Sequence, residues 1–516
     1  MISGTTGLKK VISNYWILVV LVIIKLVMQY IFVNPVYELH RDEFLHLDQA
    51  LHPAWGYISV PPFTSWIASL IYLLGGGIFW IRFFPALFGA LTVVFGWLIA
   101  ESLGGKLMSK ILTSVFIIFS VYIRLNLLFQ PNAFDILAWT IMLWLLIRYL
   151  QDYRIKWLIA LAVITAFGLY NKYTVLFLLA GLFAGLLITR QRVLLAKKGF
   201  WLAVALTVVL FLPNLIWQVA NGFPVIHHMK ALNETQLVNV NPLDFLTDQV
   251  KYGLFGILTL AAAWALFFYK PFTLYRLVGW GFIITLILFT ISRAKSYYAV
   301  GLYPAMFAIG SVYLEAVFKK WNRIVLPVLG ALNIALFFAA VKFLMPVQSP
   351  SQIIADKSTY EKIGLLRWED GKNHHLPQDF ADMIGWKEMS AKALEAWNLI
   401  PYGERKNTLV FCENYGQTGA LNYYNRGKMP LACSFSTDYI WWLPQVDTIK
   451  NIIFVGDMPD EDVLAMFAEV NVVGAVENEN ARERGTQIVL FTGAKSTFTG
   501  WFYATAEERK REFDIF

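Results

Sequence analysis

Apolar runs long enough to cross a bilayer recur along this chain up to about residue 343 and then stop. A hydrocarbon core of about 30 Å needs roughly 20 residues of helix to cross it. Inside that core only helices and closed barrels satisfy their own backbone polar groups. The runs expected to span are 15–33, 80–100, 111–129, 133–150, 156–171, 173–189, 200–220, 252–269, 276–292, 298–317 and 323–343. With 58% hydrophobic residues, the 516-residue chain lies above the roughly 45–50% of soluble domains. The fold class that follows is a polytopic α-helical membrane protein of about eleven spans, residues 1–343, carrying a separate C-terminal domain, residues 344–516.

One further apolar run, Pro62 to Leu74, is short and ends at Gly75-Gly76-Gly77. Charge decides whether it crosses. If it lies along the surface, alternate loops on the side of the N-terminus carry Lys106 and Lys110, then Arg148, Arg154 and Lys156, then Arg190, Arg192, Lys197 and Lys198, then Lys270 and Arg276, then Lys319, Lys320 and Arg323. That is the positive-inside pattern, and a crossing run would invert it. The reading is a multi-pass protein of the inner (plasma) membrane, N-terminus cytoplasmic and C-terminal domain extracytoplasmic. Lys9 and Lys10 precede the first run, and no small-residue cleavage site follows it, so it reads as an uncleaved anchor. Lys25, inside that run, reads as a lysine facing other helices. The net charge of +8 sits largely in these loops, so it indicates a bilayer partner and no nucleic acid.

The tail has its own pattern. Strand-like runs appear at Thr408–Cys412, Ile452–Val455, Val470–Ala475 and Gln487–Phe491, with helical patterns at Met389–Trp397 and Glu461–Glu469. Such alternation predicts an α/β domain. Cys412 and Cys433 have no metal-binding spacing; a disulfide and two free core thiols are both open. No Gly-rich phosphate loop and no internal repeat is evident.

Charge is otherwise sparse, at 15% of residues, yet Tyr37–Asp48 holds two Glu, two Asp, two His and one Arg. Charge beside a bilayer is costly, so this cluster is the first functional candidate. Its Asp42-Glu43 pair can act as a general base, a cation ligand or both; ordinary loop salt bridges are the plain alternative. Ser292–Tyr298 offers Arg293, Lys295, Tyr297 and Tyr298 at an outward interface, suited either to a lipid phosphate or to interfacial anchoring. Asp135 lies in the first turn of its run, where a helix cap explains it equally well, and Lys172 lies in a polar break, Asn171-Lys172-Tyr173. His227 and Glu43 leave a divalent metal open, though histidines in loops are commonly just loop residues.

In their order these pieces resemble the family 39 glycosyltransferases, bacterial relatives of the dolichyl-phosphate-mannose protein mannosyltransferases, and also the aminoarabinose transferases that modify lipid A. The matching residues are Glu38–Glu43, Gly56-Tyr57, Pro61-Pro62, Arg82–Leu87, Gly168–Thr174, Leu212-Pro213-Asn214 and Lys295–Tyr298. In the tail, Leu376–Met383, Gly385-Trp386 and Asn414-Tyr415-Gly416 look like one bacterial branch. The resemblance implies a GT-C fold, a sugar donor linked to a polyprenyl phosphate, and inverting transfer on the extracytoplasmic face. The acceptor would be a lipid, a glycan or a protein. It implies catalytic roles for Asp42, as base, and for Glu43. Lys295, Tyr298 and Arg293 would meet the phosphate, with Tyr297, Lys172, Asp135 and Tyr57 as further substrate-binding candidates. No cofactor beyond the open metal is implied. A transporter, and an envelope oligosaccharide ligase or polymerase, are the competing readings. A transporter would favour repeats and helices broken at the midplane.

Overall fold

The computed structural model describes residues 4–235, 242–252 and 256–511. The chain forms two compact units. A helical unit comprises residues 1–33, 79–215 and 232–347. A second unit comprises residues 34–78, 216–231 and 348–516. The second unit is discontinuous: residues 34–78 and 216–231 pack with the C-terminal part, residues 348–516.

In the helical unit each of the eleven apolar runs holds a helix. Five helical stretches are long and apolar enough to cross a membrane: Ile78–Ser102, Pro131–Asp152, Lys198–Ala220, Lys270–Ile291 and Ser296–Leu344. Val175–Ile188 and Arg190–Ala196 make a sixth if counted as one span bent by 105°. The other runs are shorter than expected. The 111–129 run splits into Leu107–Ile118 and Tyr122–Leu125. Ser120 explains the break: its hydroxyl donates to Ile117 O at 3.1 Å and accepts from Tyr122 N, competing with the helix ladder. The 252–269 run is helical over Ile257–Phe268; residues 253–255 lie outside the described residues.

Small residues let these helices approach. A Cβ on Gly181 would lie 2.8 Å from Gly281 O, and one on Gly185 would lie 2.9 Å from Leu277 O. Backbone contact of this kind is the membrane substitute for hydrophobic burial, since lipid tails are as apolar as leucine.

In the second unit, the Pro62–Leu74 run forms helix Phe63–Leu73. Eleven residues rise about 16 Å, half a hydrocarbon core. It stops at Gly75 and Gly76, whose φ values of 102° and 69° suit glycine. The four expected strands are present: β1 Thr408–Cys412, β2 Asn451–Gly456, β3 Glu469–Ala475 and β4 Gln487–Thr492. They form one mixed sheet in the order β1-β2-β4-β3, with only β1 and β2 parallel. Leu409, Ile452, Val489 and Phe491 of the sheet pack with Phe467, Phe498 and Phe502. The expected helix 389–397 extends over Trp386–Leu399, but 461–469 gives only the turn Glu461–Leu464. The chain turns at Ala465 so that Phe467 reaches the core. Cys412 and Cys433 are two separate buried thiols, and the Cys433 thiol donates to Val410 O at 3.4 Å.

Candidate active site

The charged cluster folds as helix Arg41–Gln49. His40 is its N-cap: Nδ1 accepts from Asp42 N at 3.2 Å, while the Glu43 carboxylate accepts from His40 N at 2.7 Å. This reciprocal cap satisfies two helix-end donors. Glu43, expected beside an acceptor or a cation, is wholly buried and closes the helix start. The backbone before the helix pairs with the tail: Glu38 N donates to Met383 O and Arg41 N to Asp382 O.

Asp42 differs from Glu43. Its side chain stays 35% exposed. The Tyr415 hydroxyl donates to Asp42 Oδ1 at 2.8 Å, and Arg41 Nε lies 3.6 Å from the same oxygen. The Arg41 guanidinium also sits 5.0 Å from the Tyr415 ring centroid. Burial acts to raise the Asp42 carboxyl, but His40, Arg41 and Tyr415 outweigh it and hold the group well below the usual carboxylate range. Behind it, Asp382 is buried and lies 3.7 Å from His40 Nε2 and 3.2 Å from Arg482 Nη1.

At the other end of the helix, Asp48 Oδ2 accepts from Asn422 Nδ2 and from the Tyr439 hydroxyl, each at 2.7 Å. Burial pushes its carboxyl from 3.8 up to about 7, against the pull of those two bonds and Arg426. Between those values the folded protein holds a proton there that the unfolded chain releases. Stability therefore falls as pH rises through that window. Asp48→Asn, which keeps the accepting oxygen, should flatten the dependence. Melting temperatures of both forms at about pH 5 and pH 8 check this; parallel curves would refute it.

Tyr57 and Asp438 fix the loop after the helix. The Tyr57 hydroxyl is 2.9 Å from Gln49 O, 3.0 Å from His52 O and 3.0 Å from Ser65 Oγ. Tyr57, expected to bind substrate, is buried and occupied with this turn. Asp438 accepts from Gln49 Nε2 and Ser59 Oγ, both at 2.9 Å, and from Ile58 N at 2.5 Å. Because the Gln49 amide nitrogen is thus committed, its oxygen accepts from His46, 3.1 Å away, which puts the proton on Nδ1.

The helical unit gathers the expected phosphate residues only in part. Lys172 Nζ donates to Asn132 Oδ1 at 2.7 Å and lies 4.3 Å and 5.3 Å from the ring centroids of Tyr298 and Tyr297. Asp135 Oδ2 accepts from Thr174 Oγ1 at 3.0 Å. Asn171 Nδ2 donates to Pro131 O, tying the two polar breaks together. Lys172, a lesser candidate in the sequence, is therefore the centre of this group. Arg293 is exposed with φ 49°, and Lys295 precedes the turn Ser296–Leu302.

Among the described residues, no three His, Cys, Asp or Glu side chains converge to hold a metal ion. Sequence reasoning gave no site role to Tyr415 and Asp382, which lie in the tail motifs quoted above, and missed Asp438 and Asn422; all are distant in the chain from the helix they hold.

Residues 59–217 match the family model described as dolichyl-phosphate-mannose-protein mannosyltransferase. Among solved structures, ArnT from Cupriavidus metallidurans bound to undecaprenyl phosphate superposes with a TM-score of 0.60 at 16% identity, covering 92% of this chain and 98% of that one. Its apo form gives 0.57 at the same identity and coverage. The Archaeoglobus fulgidus oligosaccharyltransferase tethered with an acceptor peptide gives 0.50 at 11% identity, covering 83% of this chain and 64% of that one. No curated protein matches. At these identities the likeness establishes the fold.

Proposed function

We propose that this chain, a multi-pass membrane glycosyltransferase of the GT-C fold, moves one sugar from a polyprenyl-phosphate donor to an acceptor hydroxyl, with inversion, on the extracytoplasmic face. The observation that carries the proposal is Asp42, a carboxylate held ionised yet still accessible. The match of residues 59–217 to mannosyltransferases and the ArnT-like fold supply the reaction class. The undecaprenyl phosphate bound to ArnT supports a lipid-linked donor here as well.

In the reaction, the acceptor oxygen bonds to the anomeric carbon. The bond from that carbon to the phosphate oxygen breaks, and its electron pair leaves with the polyprenyl phosphate. Asp42 takes the acceptor proton. So acidic a carboxylate is a weak base, and the match favoured for proton transfer is a group near the working pH. Asp42 therefore orients the hydroxyl first and receives the proton late, as the forming bond makes that proton acidic. Phosphate binding falls to Lys172 with Tyr297 and Tyr298, and to Lys295 and Arg293. A fixed cation offsets the charge that develops on the leaving oxygen. The basic residues in alternate loops, from Lys106 and Lys110 to Lys319, Lys320 and Arg323, support a cytoplasmic N-terminus and an extracytoplasmic C-terminal domain.

The test is turnover in detergent with a labelled polyprenyl-phosphate sugar and envelope membranes as acceptor. The expected products are free polyprenyl phosphate and label on a hydroxyl with inverted anomeric configuration. Release only from a diphosphate-linked glycan would replace this reading with a ligase. Movement of label across sealed vesicles without cleavage would replace it with a transporter.

A further inference from the structure

We propose that Tyr415 is a positioning residue for the transfer, holding the Asp42 carboxylate in place through Oδ1. The inference rests on the reading of Asp42 as base. Tyr415 opens helix Tyr415–Tyr424. The start of that helix is pinned on both sides. Asn414 Oδ1 accepts from Gly416 N and Gln417 N at 2.9 and 3.1 Å, and Gln417 Oε1 accepts from Glu413 N and Asn414 N at 3.1 and 3.2 Å. Gln417 Nε2 in turn donates to buried Glu483 at 2.7 Å. The Tyr415 backbone is therefore fixed.

Two glycines, one helical turn apart, then press this helix against Arg41–Gln49. A Cβ on Gly416 would lie 2.4 Å from Arg41 Cγ, and one on Gly419 would lie 2.7 Å from Phe44 Cβ and 3.0 Å from the Phe44 carbonyl carbon. At the far end Asn422 holds Asp48. Glycines, a hydroxyl at one end and an amide at the other make Tyr415–Tyr424 a template for the acid helix.

On that template the phenol reaches Asp42 Oδ1. Burial and the charge of Asp42 push the phenol far above its ordinary value, so it stays a donor. The phenol and Arg41 Nε, 3.6 Å away, both meet Oδ1, while His40 Nδ1 lies 3.9 Å from Oδ2, so the carboxylate is held in one orientation. A neutral donor keeps its bond to Oδ1 after Asp42 is protonated, whereas a second cation would oppose nothing but the proton.

The experiment compares Tyr415→Phe, Tyr424→Phe and Asp42→Asn in the full chain, reading kcat, KM and the pH profile of kcat/KM. Tyr415→Phe should lower kcat about tenfold with KM little changed and move the acidic limb up by about one pH unit, the size expected for one bond to a charged group. Tyr424, whose hydroxyl lies 3.4 Å from Glu38 instead, is the control on the same helix and should leave the profile unchanged. A difluorotyrosine at position 415, a stronger donor of nearly the same shape, should move the limb down and covers the case in which Tyr415→Phe misfolds. Active Asp42→Asn would remove the base reading itself. Inactive Asp42→Asn together with a wild-type profile for Tyr415→Phe and for the fluorinated protein would overturn this inference alone.

Discussion

Asp42→Asn should lower kcat by about 10²–10⁴, the usual contribution of a positioned base. Asparagine keeps the shape of the side chain and an oxygen to accept the Tyr415 hydroxyl. What it loses is the charge that orients and then deprotonates the acceptor. KM for the lipid-linked donor should change little, because phosphate binding is assigned to other residues. The depressed carboxyl also contributes stability at neutral pH, which disappears as pH falls through its folded-state value. The variant should therefore melt lower at neutral pH, with the gap closing in acid. Near-normal turnover in a correctly folded variant would falsify Asp42 as the base.

Asp438→Ala should give the largest loss of stability, about 3–5 kcal/mol, since each buried donor left without its acceptor costs about 1–3 kcal/mol. Three donors would lose their acceptor at once: the Gln49 amide, the Ser59 hydroxyl and the Ile58 N–H. Asp438 and Gln49 are both fully buried, so water cannot readily replace the lost bonds. His46, held by Gln49, would loosen with them. Thermal unfolding of the purified chain measures the effect. A shift no larger than that of a surface substitution would show that the loop is held by something else.

The apolar helices were readable from length and apolarity, since a membrane helix must satisfy its own backbone wherever it sits, but only five stretches, or six with the bent pair, are long enough to cross among the described residues. The shortness of Phe63–Leu73 was readable too, because its apolar run ends at glycines. The Tyr37–Asp48 cluster stood out through charge density, and the family resemblance singled out Asp42 within it. Its partners did not, for a physical reason. The Tyr415–Asp42 bond closes 373 residues of chain, Asn422–Asp48 closes 374 and Tyr439–Asp48 closes 391. No local period encodes a contact of that range. The sequence did carry two faint signals, the Asn414…Gln417 cap and the Gly416…Gly419 spacing, which mark a helix start and a close approach without naming what approaches. Glu43 shows the converse. Its acidity was visible, but its use as a cap partner of His40 depends on a histidine taking a place usually held by Ser, Thr, Asp or Asn. At 461–469 the helical pattern was overridden by tertiary demand, since Phe467 belongs to the sheet's core.

The range of the Tyr415–Asp42 contact also sets an order of events during synthesis. Domains form as the chain emerges, N-terminal part first. The helices of residues 79–215 can be made while the template for the acid helix has not yet been translated. Loop closure over so long a chain adds little, because its entropy grows only with the logarithm of length. The delay is one of timing: a ribosome must travel hundreds of codons beyond Asp42 before its hydroxyl partner exists. Formation of the Tyr415–Asp42 bond is thus deferred until the C-terminal segment has been made, and a chain stopped after Leu344 would hold Asp42 without helix Tyr415–Tyr424.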